Sequence, residues 1–329
     1  MYPHDWRPSA DWSTLRLRAK LLAQTRAFFA DRQVLEVETP VLSAAAITDP
    51  HLHSFSVHFS GSGTRQGQTL YLQTSPEFPM KRLLAAGSGC IYQISRVFRN
   101  NELGHRHNPE FTLLEWYRTG FDHHRLMDEV AALVTELLGQ RLLQQTPEYW
   151  CYGELFRHFL NLDPHQATTT ELAACAKQQS VSIPPNMPSD DTDPWLDLLL
   201  THCIEPHMGK GRLAFVYDYP VSQAALARLR HDDPPVGERF ELYLNGVELA
   251  NGFHELGDAA EQRDRFEAEN AARSAQGQPR MPLDEHLLAA LDAGLPACAG
   301  VALGFDRLVM LAAGKKTLAE ILAFPFECA

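Results

Sequence analysis

The segment Arg96–Tyr117, RVFRNNELGHRHNPEFTLLEWY, has two alternating runs on either side of a polar loop. Alternation of apolar and polar residues is typical of strands, so the segment predicts two antiparallel strands joined by a long loop. The loop contains Arg99 and His107, and a guanidinium presents a planar fork of donors that fits phosphate oxygens. Composition alone favours a solvated hairpin loop over a phosphate-binding loop, so this segment needs support from elsewhere in the chain.

A second hairpin is predicted at Phe240–Glu255, FELYLNGVELANGFHE, where an Asn-Gly pair separates two alternating runs. A two-residue turn places Tyr243 opposite Glu248 and Glu241 opposite Ala250. The two glutamates then form a diagonal pair on one face, with their backbones roughly 7–8 Å apart. Two such carboxylates repel unless a cation lies between them, and hard oxygen ligands suit Mg²⁺. A half-buried hairpin that carries two acids by chance is the alternative explanation.

Glu255 does not fit this register. In a regular strand its side chain points to the face opposite that of Glu248, so a shared pocket requires a break in the strand. Gly252 is the candidate position for such a bulge.

Two further segments have both a structural and a functional explanation. Ser75, Pro76 and Glu77 are typical of the N-cap, first position and acidic first turn of a helix running to about Ala86. This pattern alone explains Glu77, so a functional role for Glu77 needs independent support.

The segment GVALGFDRLVML near the carboxyl end predicts a buried helix over 304–313. Asp306 and Arg307 could simply pair in its first turn. A helix N-terminus with an arginine is also well suited to a nucleotide phosphate.

The remaining patterns suggest an α+β fold around a mainly antiparallel sheet. Trp12–Asp31 predicts an amphipathic helix with Ser13 as its N-cap, and Val34–Ser43 predicts a strand interrupted by Pro40. Residues 121–235 are predicted to be a helix-rich insertion.

The composition of the chain argues against several classes of function. The chain has 329 residues, 45% of them hydrophobic, and a formal net charge of −12, which argues against an extended surface for long nucleic acids. Its six cysteines show no Cys-x-x-Cys pair, so we expect neither a zinc ribbon nor a disulfide framework. No signal peptide or membrane-spanning run is evident, and we expect a cytoplasmic protein.

Taken together, these motifs resemble the catalytic core of lysyl-tRNA synthetases, in which ETP, SPE, HNPEF, ELANGF and GxDR occur in this order. The resemblance implies one class II synthetase-like catalytic domain over 1–329, with an antiparallel sheet flanked by helices. It also implies a homodimer with the segment around Pro40 at its interface, with ATP as co-substrate and Mg²⁺ as cofactor.

The resemblance also implies site residues. Arg99 and Arg307 would be catalytic, with Arg99 bridging the substrate carboxylate and the α-phosphate, while Glu241 and Glu248 would hold the metal. The nucleotide would be bound by Arg99, Asn100, Asn101, His107, Asn108, Phe111, Glu241, Leu242, Gly304 and Arg307. The amino acid would be bound by Ser75, Pro76, Glu77, Glu115, Tyr117, Glu248, Asn251, Glu255 and Ala302.

Three departures separate this chain from ordinary lysyl-tRNA synthetases. Only about thirty-five residues precede the Pro40 segment, too few for an N-terminal OB-fold, so we expect no anticodon-reading contact with tRNA. Ala302 stands where those synthetases usually have glycine, and one methyl group can change which lysine isomer fits. Asn101 stands where they have a glutamate that selects adenine.

The first two departures are similar to a family of truncated lysyl-tRNA synthetase paralogues that modify elongation factor P. The similarity implies that (R)-β-lysine is activated as an adenylate and transferred to the ε-amino group of one lysine of elongation factor P. Two alternatives remain: a minimal enzyme that acylates tRNA or a tRNA-like acceptor, and a catalytically silent sensor of lysine or nucleotide.

Overall fold

A computed structural model describes residues 6–63, 66–139 and 143–329. The chain divides into two compact units. The first runs to Gly120 and includes Gly257–Cys298 and Ala302–Ala329, and the second comprises Phe121–Leu256 and Ala299–Val301. The insertion expected at 121–235 lies in the second unit, which also contains the hairpin predicted after it.

The helices and strands of the first unit are as follows in chain order: α1 (Trp12–Asp31), β1 (Leu35–Glu36), β2 (Leu42–Ser43), β3 (Ser56–His58), β4 (Thr69–Leu72), α2 (Glu77–Ala85), β5 (Ile91–Phe98) and β6 (Glu110–Thr119). The second unit follows with α3 (His123–Leu138), β7 (Glu148–Cys151), α4 (Tyr152–Leu160), α5 (Thr169–Gln178), α6 (Asp193–Leu199), β8 (Ala214–Pro220), β9 (Leu229–Arg230), β10 (Val236–Leu244) and β11 (Val247–His254). The chain then forms α7 (Ala259–Ala275), α8 (Glu285–Gly294), β12 (Cys298–Gly304) and α9 (Phe305–Ala312).

Helix α1 has the predicted bounds but a different cap. Asp11 accepts a hydrogen bond from the backbone N–H of Thr14 at 2.7 Å, so the predicted N-cap Ser13 is wrong by two positions. The helix buries Phe29, whose ring stacks on Tyr92 of β5 with centroids 4.4 Å apart. This contact joins α1 to the strand that precedes Arg99.

The predicted strand Val34–Ser43 is interrupted around Pro40 as expected, but its two parts pair in different sheets. Strand β1 pairs in parallel with β5, whereas β2 pairs with β4 in a separate three-stranded sheet with β3. Pro40 lies between β1 and β2, where its missing N–H disturbs neither ladder.

Strands β5 and β6 form the predicted antiparallel pair. Their register runs without a break from Ile91 opposite Tyr117 to Phe98 opposite Glu110. The intervening loop therefore leaves the sheet from two adjacent strand ends, which fixes the positions of the residues that open and close it.

In the second unit, β10 pairs antiparallel with β8 and with β11, and β7 pairs in parallel with β8. Helix α3 packs against β10 and β11. Helix α4 packs against β8, where the ring of Tyr152 lies 4.8 Å from that of Tyr219. The predicted α+β class is confirmed: among the described residues, strand pairing is mainly antiparallel within each unit, with helices around the sheets.

Across the described ranges, no helix combines the length and apolar character that crossing a bilayer requires. All six cysteines are present as free thiols.

Candidate active site

Arg99 begins the long loop between β5 and β6. Its backbone N–H donates to the carbonyl of Pro109 at 2.9 Å, which closes the neck of the loop. The guanidinium carbon lies 5.2 Å from the centre of the Phe111 ring, and Nη1 lies 3.7 Å from a carboxylate oxygen of Glu102. Its Nε is buried and has no hydrogen-bond partner in the described part of the chain. Arg99 thus retains donor capacity for an anionic ligand.

His107 and Arg307 lie together although 200 residues separate them in sequence. Arg307 is in the first turn of α9, and its Nη2 lies 2.8 Å from Nε2 of His107. Its Nε donates to the carbonyl of Arg106 at 3.4 Å. Burial, and next the charge of Arg307, lower the pKa of His107, so the imidazole is neutral and can accept from the guanidinium.

Asp306 does not pair with its neighbour Arg307. Its carboxylate contacts Arg18 of α1 at 2.6 Å and accepts from the backbone N–H of Thr112 in β6 at 2.9 Å. Asp306 therefore connects α9 to α1 and β6, which leaves Arg307 available for the loop.

Three loop residues named as nucleotide ligands already form hydrogen bonds within the protein. Asn108 is buried; its amide donates to the carbonyl of Glu110 at 2.6 Å and accepts from the N–H of Phe326 at 3.0 Å. Asn100 accepts from the N–H of Asn101 at 3.0 Å, and Asn101 has φ 69°, a left-handed conformation that asparagine tolerates. These contacts fix the course of the loop.

Ser75, Glu115 and Tyr117 meet in one hydrogen-bonded group. Ser75 donates from its hydroxyl to Glu115 at 2.8 Å, and the Tyr117 hydroxyl donates to the other oxygen of that carboxylate at 2.7 Å. Glu115 is only 2% exposed. A buried carboxylate oriented by two hydroxyls is a suitable partner for an ammonium group.

Glu77 has a partner that the sequence analysis missed. Lys81, one turn later on α2, is 1% exposed and lies 2.7 Å from a Glu77 oxygen. The i,i+4 spacing of Glu77 and Lys81 in the sequence is the pattern that indicates such an ion pair on a helix. Pro76 is the N-cap of α2, so the helix starts one residue later than predicted, and Ser75 Oγ accepts from the Glu77 N–H at 3.0 Å.

The predicted register of the second hairpin is wrong beyond its turn. Tyr243 lies opposite Glu248 as expected, but Glu241 lies opposite Asn251 and not Ala250, because a β-bulge interrupts β10 and β11 between these pairs. Opposite residues share a face, so the bulge brings Glu241, Glu248 and Asn251 to one side of the sheet.

The break expected at Gly252 therefore lies earlier, between Glu248 and Asn251. Regular alternation from Asn251 then puts Glu255 on the same face as well, and Glu255 is buried. Leu242 alternates to the opposite face and is fully buried, so its side chain does not reach this group.

Glu241 is surrounded by donors that the sequence analysis did not identify. Its carboxylate forms an ion pair with Arg239 at 2.5 Å and accepts from the hydroxyls of Tyr219 at 2.7 Å and Tyr243 at 2.5 Å. Arg239 also donates to the Asn251 side chain at 3.2 Å. This network orders the carboxylate and the amide on the same face.

Glu205 adds a third acid to this group. Burial, and next the charges of Glu241 and Glu248, raise the pKa of Glu205 to about 7. Burial is the main cause and the two carboxylates add to it, so three acids lie near one another here. A set of carboxylate oxygens with excess negative charge fits a hard divalent cation such as Mg²⁺.

Ala302 and Gly304 alternate with buried residues along β12 and share its more accessible side. Gly304 is also the N-cap of α9. Ala302 and Gly304 therefore lie at the end of the strand that leads directly to Arg307.

The family model described as tRNA synthetases class II (D, K and N) matches residues 4–327. The chain is 53% identical over 322 residues to an elongation factor P--(R)-beta-lysine ligase from Vibrio cholerae serotype O1, covering 98% of both chains. Similar ligases from Vibrio vulnificus and Edwardsiella ictaluri are each 52% identical, over 325 and 323 residues, covering 99% and 98% of both chains respectively.

Proposed function

The chain belongs to the class II tRNA synthetases (D, K and N), and from that premise we propose that it is an AMP-forming, ATP-dependent ligase acting on a protein. It activates (R)-β-lysine as an adenylate and transfers the β-lysyl group to the ε-amino group of one lysine of elongation factor P. The substrate and the acceptor follow from the names of relatives that align over nearly the full length of both chains.

The observation that carries the reaction class is the group formed by Arg99, His107 and Arg307. Two guanidiniums and a neutral imidazole are held on one loop and one helix N-terminus of the first unit. Such donors fit a triphosphate, and the positive end of α9 adds to them.

The mechanism we propose needs no protein nucleophile. The substrate carboxylate attacks the α-phosphorus in line, pyrophosphate leaves, and the lysine amine of the acceptor later displaces AMP. Arg99 bridges the carboxylate and the α-phosphate, so its charge stabilises the negative charge that develops there. Arg307 and His107 orient the outer phosphates.

For the amino acid, we assign Glu115 to an ammonium group, because Ser75 and Tyr117 already orient its carboxylate. The carboxylate of Glu77 already forms an ion pair with Lys81, so it would bind a substrate ammonium group more weakly. Asn251 and Glu255 are assigned to the same substrate. Their acidic and amide oxygens match a substrate with two amino groups.

Magnesium is assigned to Glu241 and Glu248, which share one face of the hairpin with Asn251. When bound, Mg²⁺ neutralises phosphate charge. Tyr219 and Tyr243 hold Glu241 in position through their hydroxyls.

We also propose a homodimer through the segment around Pro40. Val41 and Leu42 are 37% and 46% exposed, although both are large apolar residues. The same segment lines a cavity of about 500 Å³ together with Phe78. A second copy would cover this apolar surface, and Leu42→Glu is expected to shift sedimentation towards the monomer. A monomeric parent would refute the dimer.

The decisive experiment is the intact mass of purified elongation factor P after incubation with this protein, ATP and Mg²⁺. Parallel reactions contain (R)-β-lysine, α-lysine, or tRNA in place of the protein acceptor. One lysyl increment, strongest with the β-isomer, is the expected result. Pyrophosphate exchange without any mass increment on elongation factor P would refute elongation factor P as the acceptor. Acylation of the tRNA would instead show that this enzyme acts on tRNA.

A further inference from the structure

Two histidines and a glutamate of the second unit form a compact cluster that has no role in the proposed reaction. His123 is the first residue of α3, Glu238 lies in β10, and His254 ends β11. Each offers one ligand atom, and these atoms lie within 4.8 Å of one another. No local sequence pattern indicates this cluster, because His123 precedes Glu238 and His254 by more than a hundred residues.

The hairpin and the helix bring the cluster together. Arg239 pairs with Phe253, so the preceding and following residues, Glu238 and His254, are adjacent across the strands. Nδ1 of His254 lies 2.6 Å from a Glu238 oxygen. Helix α3 packs on these strands and presents His123 from its first turn.

His123 has one ring nitrogen engaged and one available. Its Nε2 lies 3.2 Å from Asp218, which can accept the Nε2 proton and so leave a lone pair on Nδ1. Nδ1 is buried and has no hydrogen-bond partner among the residues described, and the residue as a whole is 1% exposed. A buried nitrogen without a partner is unfavourable unless a ligand satisfies it.

The local charge suits a cation. Glu238 brings a carboxylate into direct contact with His254. Arg230 lies 3.7 Å from Glu238, but it is neutralised by contacts of 2.5 Å to both Asp218 and Asp232. The three carboxylates still outnumber the guanidiniums of Arg230 and Arg228 near Glu238, so the net charge around the histidines is negative.

We propose that His123, Glu238 and His254 bind a transition-metal dication of the Zn²⁺ class. Two imidazoles and a carboxylate are a donor set that Zn²⁺ prefers and Mg²⁺ does not. Zn–N and Zn–O bonds are about 2.0–2.2 Å, so two ligand atoms of one tetrahedral ion lie about 3.3–3.6 Å apart. The ligand atoms of the cluster, now within 4.8 Å of one another, would move by roughly 1 Å to close around the ion, with water in the fourth position.

Asp218 orients His123 without binding the metal itself. By accepting from His123 Nε2, it selects the tautomer in which Nδ1 can bind the metal, as carboxylates behind metal-bound histidines commonly do. The ion would link α3 to β10 and β11. His254 and Asn251, which lie beside Glu238 and Glu241, are three residues apart on the regular part of β11 and so point to opposite faces; this metal site is therefore separate from the Mg²⁺ site.

The test measures metal binding to the full chain without ATP or Mg²⁺. Co²⁺ is the spectroscopic probe, because four-coordinate Co²⁺ gives strong visible bands and oxygen-ligated six-coordinate Co²⁺ gives weak ones. Zn²⁺ affinity is measured by calorimetry in the parent and in His123→Gln and Glu238→Gln. His124→Gln is the matched control, since its ring lies next to that of His123 but outside the cluster.

The parent and His124→Gln are expected to bind one Zn²⁺ and to show the strong Co²⁺ bands. His123→Gln and Glu238→Gln are expected to lose the bands and to weaken Zn²⁺ binding by on the order of 100-fold or more. Asp218→Asn is expected to weaken it by about 10–100-fold, the usual effect of losing an outer partner. Glu241→Gln should retain the bands.

Thermal unfolding gives a second readout. Zn²⁺ is expected to raise the melting temperature of the parent and not that of Glu238→Gln, whose folding is checked by circular dichroism. The proposal is overturned if the parent binds no Zn²⁺, or if the strong bands persist in folded His123→Gln and Glu238→Gln.

Discussion

Replacing Arg99 with alanine should abolish adenylate formation while leaving the protein folded. The structural loss is small. The ion pair with Glu102 spans 3.7 Å between partly exposed side chains and contributes about 0–1 kcal/mol. The contact over the Phe111 ring at 5.2 Å contributes about 0.5–1 kcal/mol. A total of at most about 2 kcal/mol is well below the free energy of unfolding of an ordinary domain, about 5–15 kcal/mol.

The catalytic loss should be much larger. Removing a single donor to a developing oxyanion typically costs about 10²–10³-fold, and arginines that stabilise phosphoryl transfer contribute about 10³–10⁵-fold. Because Arg99 supplies both a charge and a planar pair of donors, we expect Arg99→Ala to lower β-lysine-dependent ATP–pyrophosphate exchange by at least about 10³-fold.

Arg96→Ala is the matched control. Arg96 lies three residues earlier on β5 and has a similar contact, 3.6 Å to Glu110, but its side chain is 49% exposed. This variant should exchange pyrophosphate within about twofold of the parent, since an exposed ion pair contributes little. Exchange by folded Arg99→Ala at the same level as Arg96→Ala would refute the role of Arg99.

Three further predictions concern stability and specificity. Burial raises the pKa of Glu269 from 4.5 to about 7, so the folded protein binds more protons than the unfolded chain between these values and loses stability as pH rises through them. In urea unfolding, the free energy of unfolding of Glu269→Gln should therefore increase relative to that of the parent as pH rises from 5 to 8. Gly252→Ala should cost about 1–3 kcal/mol in the same assay, because a Cβ there would lie 2.5 Å from the Phe240 ring. Ala302→Gly should shift the ratio of exchange rates towards α-lysine by about 10–200-fold.

Each of these predictions has a clear contrary result. A parallel pH dependence of Glu269→Gln and the parent would show that this carboxyl does not titrate as proposed. Gly257→Ala is the control for Gly252→Ala, since its Cβ would meet nothing closer than 3.8 Å. Equal stability of the two alanine variants would contradict the packing argument. An unchanged isomer ratio in Ala302→Gly would remove that methyl group from substrate selection.

The sequence by itself determined those helices, strands and turns whose pattern lies within one short segment. Helix α1 has its predicted bounds because its apolar spacing is periodic, and the β5–β6 pair is regular because both strands alternate over their whole length. The Asn-Gly turn fixed the first two pairs of the second hairpin in the same way. Motif order also identified the family, since the family model matches nearly the whole chain.

Only the tertiary structure decided which distant side chains meet. The bulge between Leu242 and Tyr243 lies beyond the turn, so the turn rule did not predict it, and it changes the partner of Glu241 from Ala250 to Asn251. The contact between His107 and Arg307 and the histidine cluster at His123 likewise join segments more than a hundred residues apart. A sequence pattern specifies the face of an element, whereas chain folding determines which faces and loops come together.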